Sequence, residues 1–199
     1  MRARLVGPDD PAWTAALPAC VHDVHHRPGW AVASAVIDDG APRAVLVEDA
    51  GRVRCVVPVL ARDLDGPDGR WDAVSPYGYA GPAFPADLDD AGRRAALDVA
   101  AGALAADGCV AWFLRLHPLL DDGWSTGAEG ARDHGRTVSI DLTADDAAFR
   151  AGLRAGHRGD VDRAVRDGVR VDVVGGPDVD DSALVAFRDL YAATMHRVG

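Results

Sequence analysis

The sequence predicts an α/β fold, a mixed central β-sheet flanked by helices. Residues 42–48 and 52–60 are rich in β-branched side chains and joined by Asp49-Ala50-Gly51, the pattern of an antiparallel hairpin. Residues 71–74, 89–107 and 109–116 then read as strand, helix and strand. With 48% hydrophobic residues among 199, the composition suits a buried core and neither a disordered nor a fibrous chain.

Taken in order, residues 11–24 predict a helix with Asp10 as N-cap and Trp13, Leu17 and Val21 on one face. His22, His25 and His26 follow. Their spacing could gather metal ligands on a continuous helix, but Arg27-Pro28-Gly29 ends it and no second ligand cluster is nearby, so no metal is expected. After the hairpin and the strand 71–74, Pro76, Gly78, Gly81 and Pro82 forbid a continued strand and frame a stiff loop. That loop carries Tyr77 and Tyr79, expected at the rim of a ligand pocket; the alternative is a tight turn whose tyrosines cap the core.

In the helix 89–107, Leu97, Ala100 and Leu104 share a face and Gly108 stops it. The nearly continuous apolar run 109–116 predicts a central strand buried on both faces. A Gly-rich polar loop over 121–135 precedes a strand at 137–142. Two short helices at 145–155 and 158–167, a strand at 169–174 and a last helix at 180–197 complete the chain. Leu184, Phe187, Tyr191 and Met195 form one stripe on that last helix.

Composition also bounds function. A net charge of −10 argues against sequence-blind nucleic-acid binding. All 21 basic residues are Arg, so Schiff-base and lysine-nucleophile chemistry are excluded. Cys20, Cys55 and Cys109 are odd in number and widely spaced, which suits neither a disulfide framework nor a zinc ribbon. No apolar run reaches bilayer length and no signal-peptide core follows Met1, so a cytoplasmic protein without membrane insertion is expected. There is no P-loop or dinucleotide fingerprint.

Two places could carry chemistry. Strand alternation puts Arg115 and His117 on one side at a strand end, where a histidine can move protons near neutral pH; a backbone-satisfied structural histidine is the alternative. Residues 150–170 carry Arg150, Arg154, Arg158, Arg163, Arg166 and Arg170 against Asp160, Asp162 and Asp167, forming the one locally basic segment. Arginine forks match phosphate oxygens, although a solvated helical face produces the same pattern.

Several stretches together resemble FemAB-like members of the GNAT superfamily. Ser75-Pro76-Tyr77-Gly78-Tyr79-Ala80-Gly81-Pro82 is similar to their S-P-Y-G-Y-x-G-P loop. Phe113-Leu114-Arg115-Leu116-His117-Pro118 resembles their central strand, and Thr137-Val138-Ser139-Ile140-Asp141-Leu142 the strand after it. His157-Arg158, Arg163 to Val169, and the Phe187, Leu190, Tyr191, Thr194, Met195, Arg197 pattern match two later segments of the family.

The resemblance implies the first half of a tandem GNAT architecture over residues 1–142, with 143–199 opening a second half. It implies an N-acyltransferase that moves an aminoacyl group from aminoacyl-tRNA, a co-substrate rather than a cofactor, to an amine of a peptide or peptidoglycan-precursor acceptor. In that reading His117 is catalytic, Tyr77, Tyr79, Arg115 and Arg197 bind substrate, and Arg154, Arg158, Arg163 and Arg166 meet tRNA phosphates. A homodimer or a complementing chain is expected to complete the second half. Arg154-Ala155-Gly156-His157-Arg158-Gly159 is one residue off the coenzyme-A turn of the superfamily and lies in helical sequence. The alternatives are a non-catalytic peptide- or nucleotide-binding module of the same fold and an acyl-CoA-dependent N-acetyltransferase.

Overall fold

The hairpin forms where its turn chemistry places it. β2 (Ala41–Asp49) and β3 (Arg52–Asp63) are joined by Ala50 and Gly51 alone. Both turn residues have positive φ, 48° and 79°, as a type I′ turn requires. β1 (Arg2–Val6) adds antiparallel to β2, β4 (Trp71–Val74) antiparallel to β3, and β5 (Cys109–Phe113) parallel to β4, giving the order β1-β2-β3-β4-β5. The computed structural model describes residues 1–120, 123–125, 130–173 and 179–198. The chain divides into two units, Met1–Thr137 and Val138–Gly199, where the sequence alone suggests a division after Leu142.

Alternation along β2 and β3 explains the two cores of the first unit. Val45, Val47, Val57 and Val59 pack with Ala96, Ala100 and Leu104 of α3 (Asp90–Ala106) on one face. Ala44, Leu46 and Val56 pack with Trp13, Leu17 and Ala31 on the other. Trp13 lies on α1 (Pro11–Ala16) and Ala31 on α2 (Pro28–Asp38). A mixed sheet with helices on both faces is therefore the observed architecture, as the sequence predicts.

Several elements differ from the sequence reading. The helix expected over 11–24 stops at Ala16, because Pro18 has no N–H to extend the ladder; 3-10 turns Leu17–Ala19 and Val24–His26 follow. β5 is not central but an edge strand among the described residues, with Val110 and Phe113 each 52% exposed. Residues 137–142 form no strand, and Val138 is 92% exposed. Their alternation is a pattern that only a partner strand realises, and none pairs with them among the described residues. Residues 169–173 are likewise irregular; Val174, Asp121, Asp122 and residues 126–129 lie outside the described residues.

The second unit contains α4 (Asp146–Gly152), α5 (Ala155–Arg166) and α6 (Asp181–Val198), close to the expected spans. Asp145 caps α4 by accepting from Ala148 N at 2.7 Å. Leu184, Phe187, Tyr191 and Met195 are all exposed on α6, with Phe187 and Tyr191 stacked at 6.1 Å.

Candidate functional site

The sheet itself creates the loop that carries the tyrosines. Leu60 of β3 pairs with Val74 at the end of β4, and Val56 exchanges two hydrogen bonds with Ala83, 2.8 and 3.0 Å long. Between them residues 75–82 leave the sheet. Pro58 sits on β3 at that gap and has no N–H to be left unpaired there.

The loop is pinned at three further points. Ser75 N donates to Phe113 O (3.1 Å), Ser75 Oγ accepts from Arg115 N (2.9 Å), and Trp30 Nε1 donates to Tyr77 O (2.8 Å). Gly81 is required by close approach, since a Cβ there would lie 3.1 Å from Arg115 O and 3.2 Å from Leu116 Cα.

Beneath the loop lies a carboxylate shared by three imidazoles. Asp23 is the N-cap of the 3-10 turn Val24–His26. Its Oδ1 accepts from His25 N at 2.9 Å and lies 2.9 Å from His26 Nδ1. Its Oδ2 lies 2.8 Å from His25 Nδ1 and 2.8 Å from His117 Nε2. Burial opposes the Asp23 charge, but the hydrogen bonds from His25, the nearby His26 and the bond from His117 outweigh it and hold the pKa down to about 2. His26 is fully buried with Nε2 unpaired, and burial lowers its pKa although Asp23 pulls the other way.

The hydrogen bonds fix the tautomers. His117 Nδ1 accepts from Leu119 N (3.1 Å) and Leu120 N (3.2 Å), so its proton sits on Nε2 and points at Asp23. A metal at His117 Nε2 would need a lone pair there and a proton on Nδ1, facing two N–H donors. Asp23, His25 and His117 are close enough to hold a cation, with ligand atoms within 4.8 Å of one another. Yet Asp23 is already engaged by His25 N, His25 Nδ1 and His117 Nε2, while His26 Nδ1 accepts from Asp23 N at 3.1 Å, so the arrangement fits a proton-handling cluster better than a metal centre.

The rings enclose this cluster. His25 meets Trp30 edge-on at 4.9 Å, Tyr79 at 6.0 Å and His117 at 6.0 Å, and Tyr79 meets His117 at 5.8 Å. Tyr79 is 37% and Tyr77 54% exposed. A small cavity of about 10 Å³ beside His117 is lined by Pro82, Leu116, Leu120 and Trp124, not by either tyrosine. Arg115 is exposed and reaches Gly78 O with Nη1 at 3.4 Å; β5 ends at Phe113, so Arg115 and His117 approach the loop from the segment after the strand and not by strand alternation.

Of the expected residues, then, Tyr77, Tyr79, Arg115 and His117 come together in the first unit. Asp23, His25 and Trp30 join them without having been singled out as one site. The sequence signal was the His-rich turn itself, which reads as a failed metal motif rather than as a capped carboxylate.

Arg154, Arg158, Arg163, Arg166 and Arg197 lie in the second unit. Arg158 bonds the Leu153 carbonyl and Ala151 O (3.3 Å), Arg163 lies 3.9 Å from Asp160, and Arg150 pairs with Asp162. Arg197 occupies the last turn of α6, where its charge suits the helix C-terminus.

The sequence matches no protein-family model and no curated protein. Solved structures similar to the chain include a ribosomal-protein-alanine N-acetyltransferase from Brucella melitensis biovar Abortus 2308, at 17% identity and TM-score 0.37, covering 69% of this chain and 95% of that one. An acetyltransferase from Trypanosoma brucei is similar at 13% identity and TM-score 0.36, covering 71% of this chain and 99% of that one. No helix among the described residues is long and apolar enough to cross a membrane.

Proposed function

We propose that this chain is an N-acyltransferase that joins an aminoacyl group, delivered as aminoacyl-tRNA, to the amine of a peptide or peptidoglycan-precursor acceptor. The observation that carries the reading is the docking of the Ser75–Pro82 stretch, whose sequence resembles the FemAB-like loop, onto the Asp23 carboxylate with its three imidazoles. Amide formation from an ester needs the amine held against the carbonyl and its proton removed. A carboxylate-oriented imidazole beside two exposed tyrosines supplies parts of both kinds. Tyr77, Tyr79 and Arg115 are assigned to substrate binding, and the Asp23 cluster to which His117 belongs to proton handling.

The choice of aminoacyl-tRNA as donor draws on the character of the second unit. Residues 155–159, the nearest approach to a coenzyme-A turn, lie inside α5, which follows α4 rather than a strand. The segment is instead a helix with Arg154, Arg158, Arg163 and Arg166 along it, suited to phosphates of a polynucleotide. Arg197 is assigned to substrate, and a second copy of this chain or a separate chain is proposed as a partner.

The test is transfer of a radiolabelled aminoacyl group from charged tRNA, in parallel with labelled acetyl-CoA, to a peptidoglycan-precursor pentapeptide. Labelled amide from charged tRNA alone supports the reading. Product from acetyl-CoA alone replaces the donor and keeps the reaction type. Product from neither removes the enzyme reading and leaves a binding module.

A further inference from the structure

We infer that His25, through Nε2, accepts the proton of the attacking amine, while Asp23 and His117 act as positioning residues. The inference rests on the acyl-transfer reading and names the acting atom within it. His117 has both ring nitrogens engaged: Nδ1 by Leu119 and Leu120 N–H, and Nε2 by Asp23 Oδ2. It can take no proton without breaking one of these bonds.

His25 differs in the one respect that matters. Its Nδ1 lies 2.8 Å from Asp23 Oδ2, and a proton there makes a charge-assisted hydrogen bond where a lone pair would face a carboxylate. The remaining nitrogen, Nε2, therefore carries the free lone pair, and no described residue bonds to it. This is the arrangement in which a carboxylate holds an imidazole in its basic tautomer and stabilises the imidazolium that forms.

The loop approaches that edge of the ring closely. Gly78 has φ +88°, and a Cβ on it would lie 2.6 Å from His25 Nε2 and 2.6 Å from Cδ2. Only glycine fits there, since any side chain at position 78 would be driven into the Nε2–Cδ2 edge of the ring. Trp30 and Tyr79, edge-on to His25 at 4.9 and 6.0 Å, hold the ring in that orientation. In the reaction the amine nitrogen bonds to the acyl carbon and its proton moves to His25 Nε2. The ester C–O bond then breaks, and that proton passes to the leaving ribose oxygen.

Nitrogen-15 NMR of the full chain with labelled histidine tests the assignment without any substrate. The expected spectrum at pH 8 shows His25 protonated on Nδ1 and His117 protonated on Nε2. Diethyl pyrocarbonate, which acylates a free imidazole nitrogen, is expected to modify His25 at least tenfold faster than His117. In the transfer assay, His25→Asn keeps an N–H near the Nδ1 position but has nothing at Nε2. It should lower kcat by roughly 10²–10⁴-fold, with tRNA affinity unchanged. A proton on His25 Nε2, preferential acylation of His117, or wild-type kcat in His25→Asn overturns the inference. Absence of transfer by the wild-type chain, whatever the spectrum shows, overturns the reaction on which it rests.

Discussion

Replacing Asp23 by Asn isolates the charge of the shared carboxylate while keeping its shape. The folded-state pKa falls from 3.8 to about 2. At full value that drop corresponds to about 2.5 kcal/mol of stability. Asp23 is partly open to solvent, with 30% of its side chain exposed, and screening reduces the figure to about 1–2 kcal/mol. Because the pKa is depressed on folding, this contribution is complete above pH 3.8 and disappears as pH falls through about 2.

Asparagine adds a second cost, since its amide must turn one N–H₂ toward an imidazole N–H or a backbone N–H. Leaving one such donor unpaired costs roughly 1–3 kcal/mol, so the total for Asp23→Asn is about 2–5 kcal/mol. All five tryptophans, Trp13, Trp30, Trp71, Trp112 and Trp124, belong to the first unit, so urea unfolding followed by tryptophan fluorescence reports on it alone. The expected result is a lower midpoint with an unchanged slope. A loss below about 0.5 kcal/mol would mean that the carboxylate does not organise the three histidines, and the site as described would not stand.

Three other outcomes follow from particular residues. Ala50 sits at φ 48° in the hairpin turn, so Ala50→Gly should raise stability by about 1 kcal/mol in the same urea assay; a loss would contradict the turn assignment. Burial pushes the Cys20 thiol up to about 12 and raises Cys55 well above the ordinary range, so Ellman's reagent should titrate Cys109 first and reach the other two only in denaturant. Burial also lowers the pKa of His26, so the unfolded chain binds its proton near pH 6.5 while the folded chain does not. Stability should therefore fall as pH drops below 6.5, by up to about 1.4 kcal/mol per unit, and His26→Asn should flatten that slope; an unchanged slope in the variant excludes His26 as its source.

How much of this was legible in the sequence depended on whether the signal was local. The hairpin, α3 and the stiff loop are written in turn residues and periodicity, and they appear close to the expected bounds. β1 was missed because Arg2-Ala3-Arg4 has no strand composition of its own; it is a strand through its register against β2, Arg2 opposite Glu48. α2 was missed because Arg27-Pro28-Gly29 reads as a stop, whereas Pro28 opens the helix at a position whose N–H needs no partner. The apolar run at 109–116 read as central, yet hydrophobicity alone does not distinguish an edge strand from a middle one.

The site followed the same division. Tyr79 and His117 were visible as a loop motif and a strand end. Their meeting with Asp23, 94 residues before His117 in sequence, is a tertiary fact that no local pattern contains. Asp23 was hidden in plain composition, one of many aspartates in a chain of net charge −10.

The central claim is that the tyrosine loop and the Asp23 cluster together make an amide from an activated ester. Single-turnover transfer from labelled aminoacyl-tRNA to the pentapeptide, measured for the wild-type chain and for Asp23→Asn at a temperature where both are folded, tests it most directly. The account predicts transfer by the wild-type chain and a loss of at least 100-fold in the variant, with tRNA affinity retained. Equal single-turnover rates in the two proteins would contradict it.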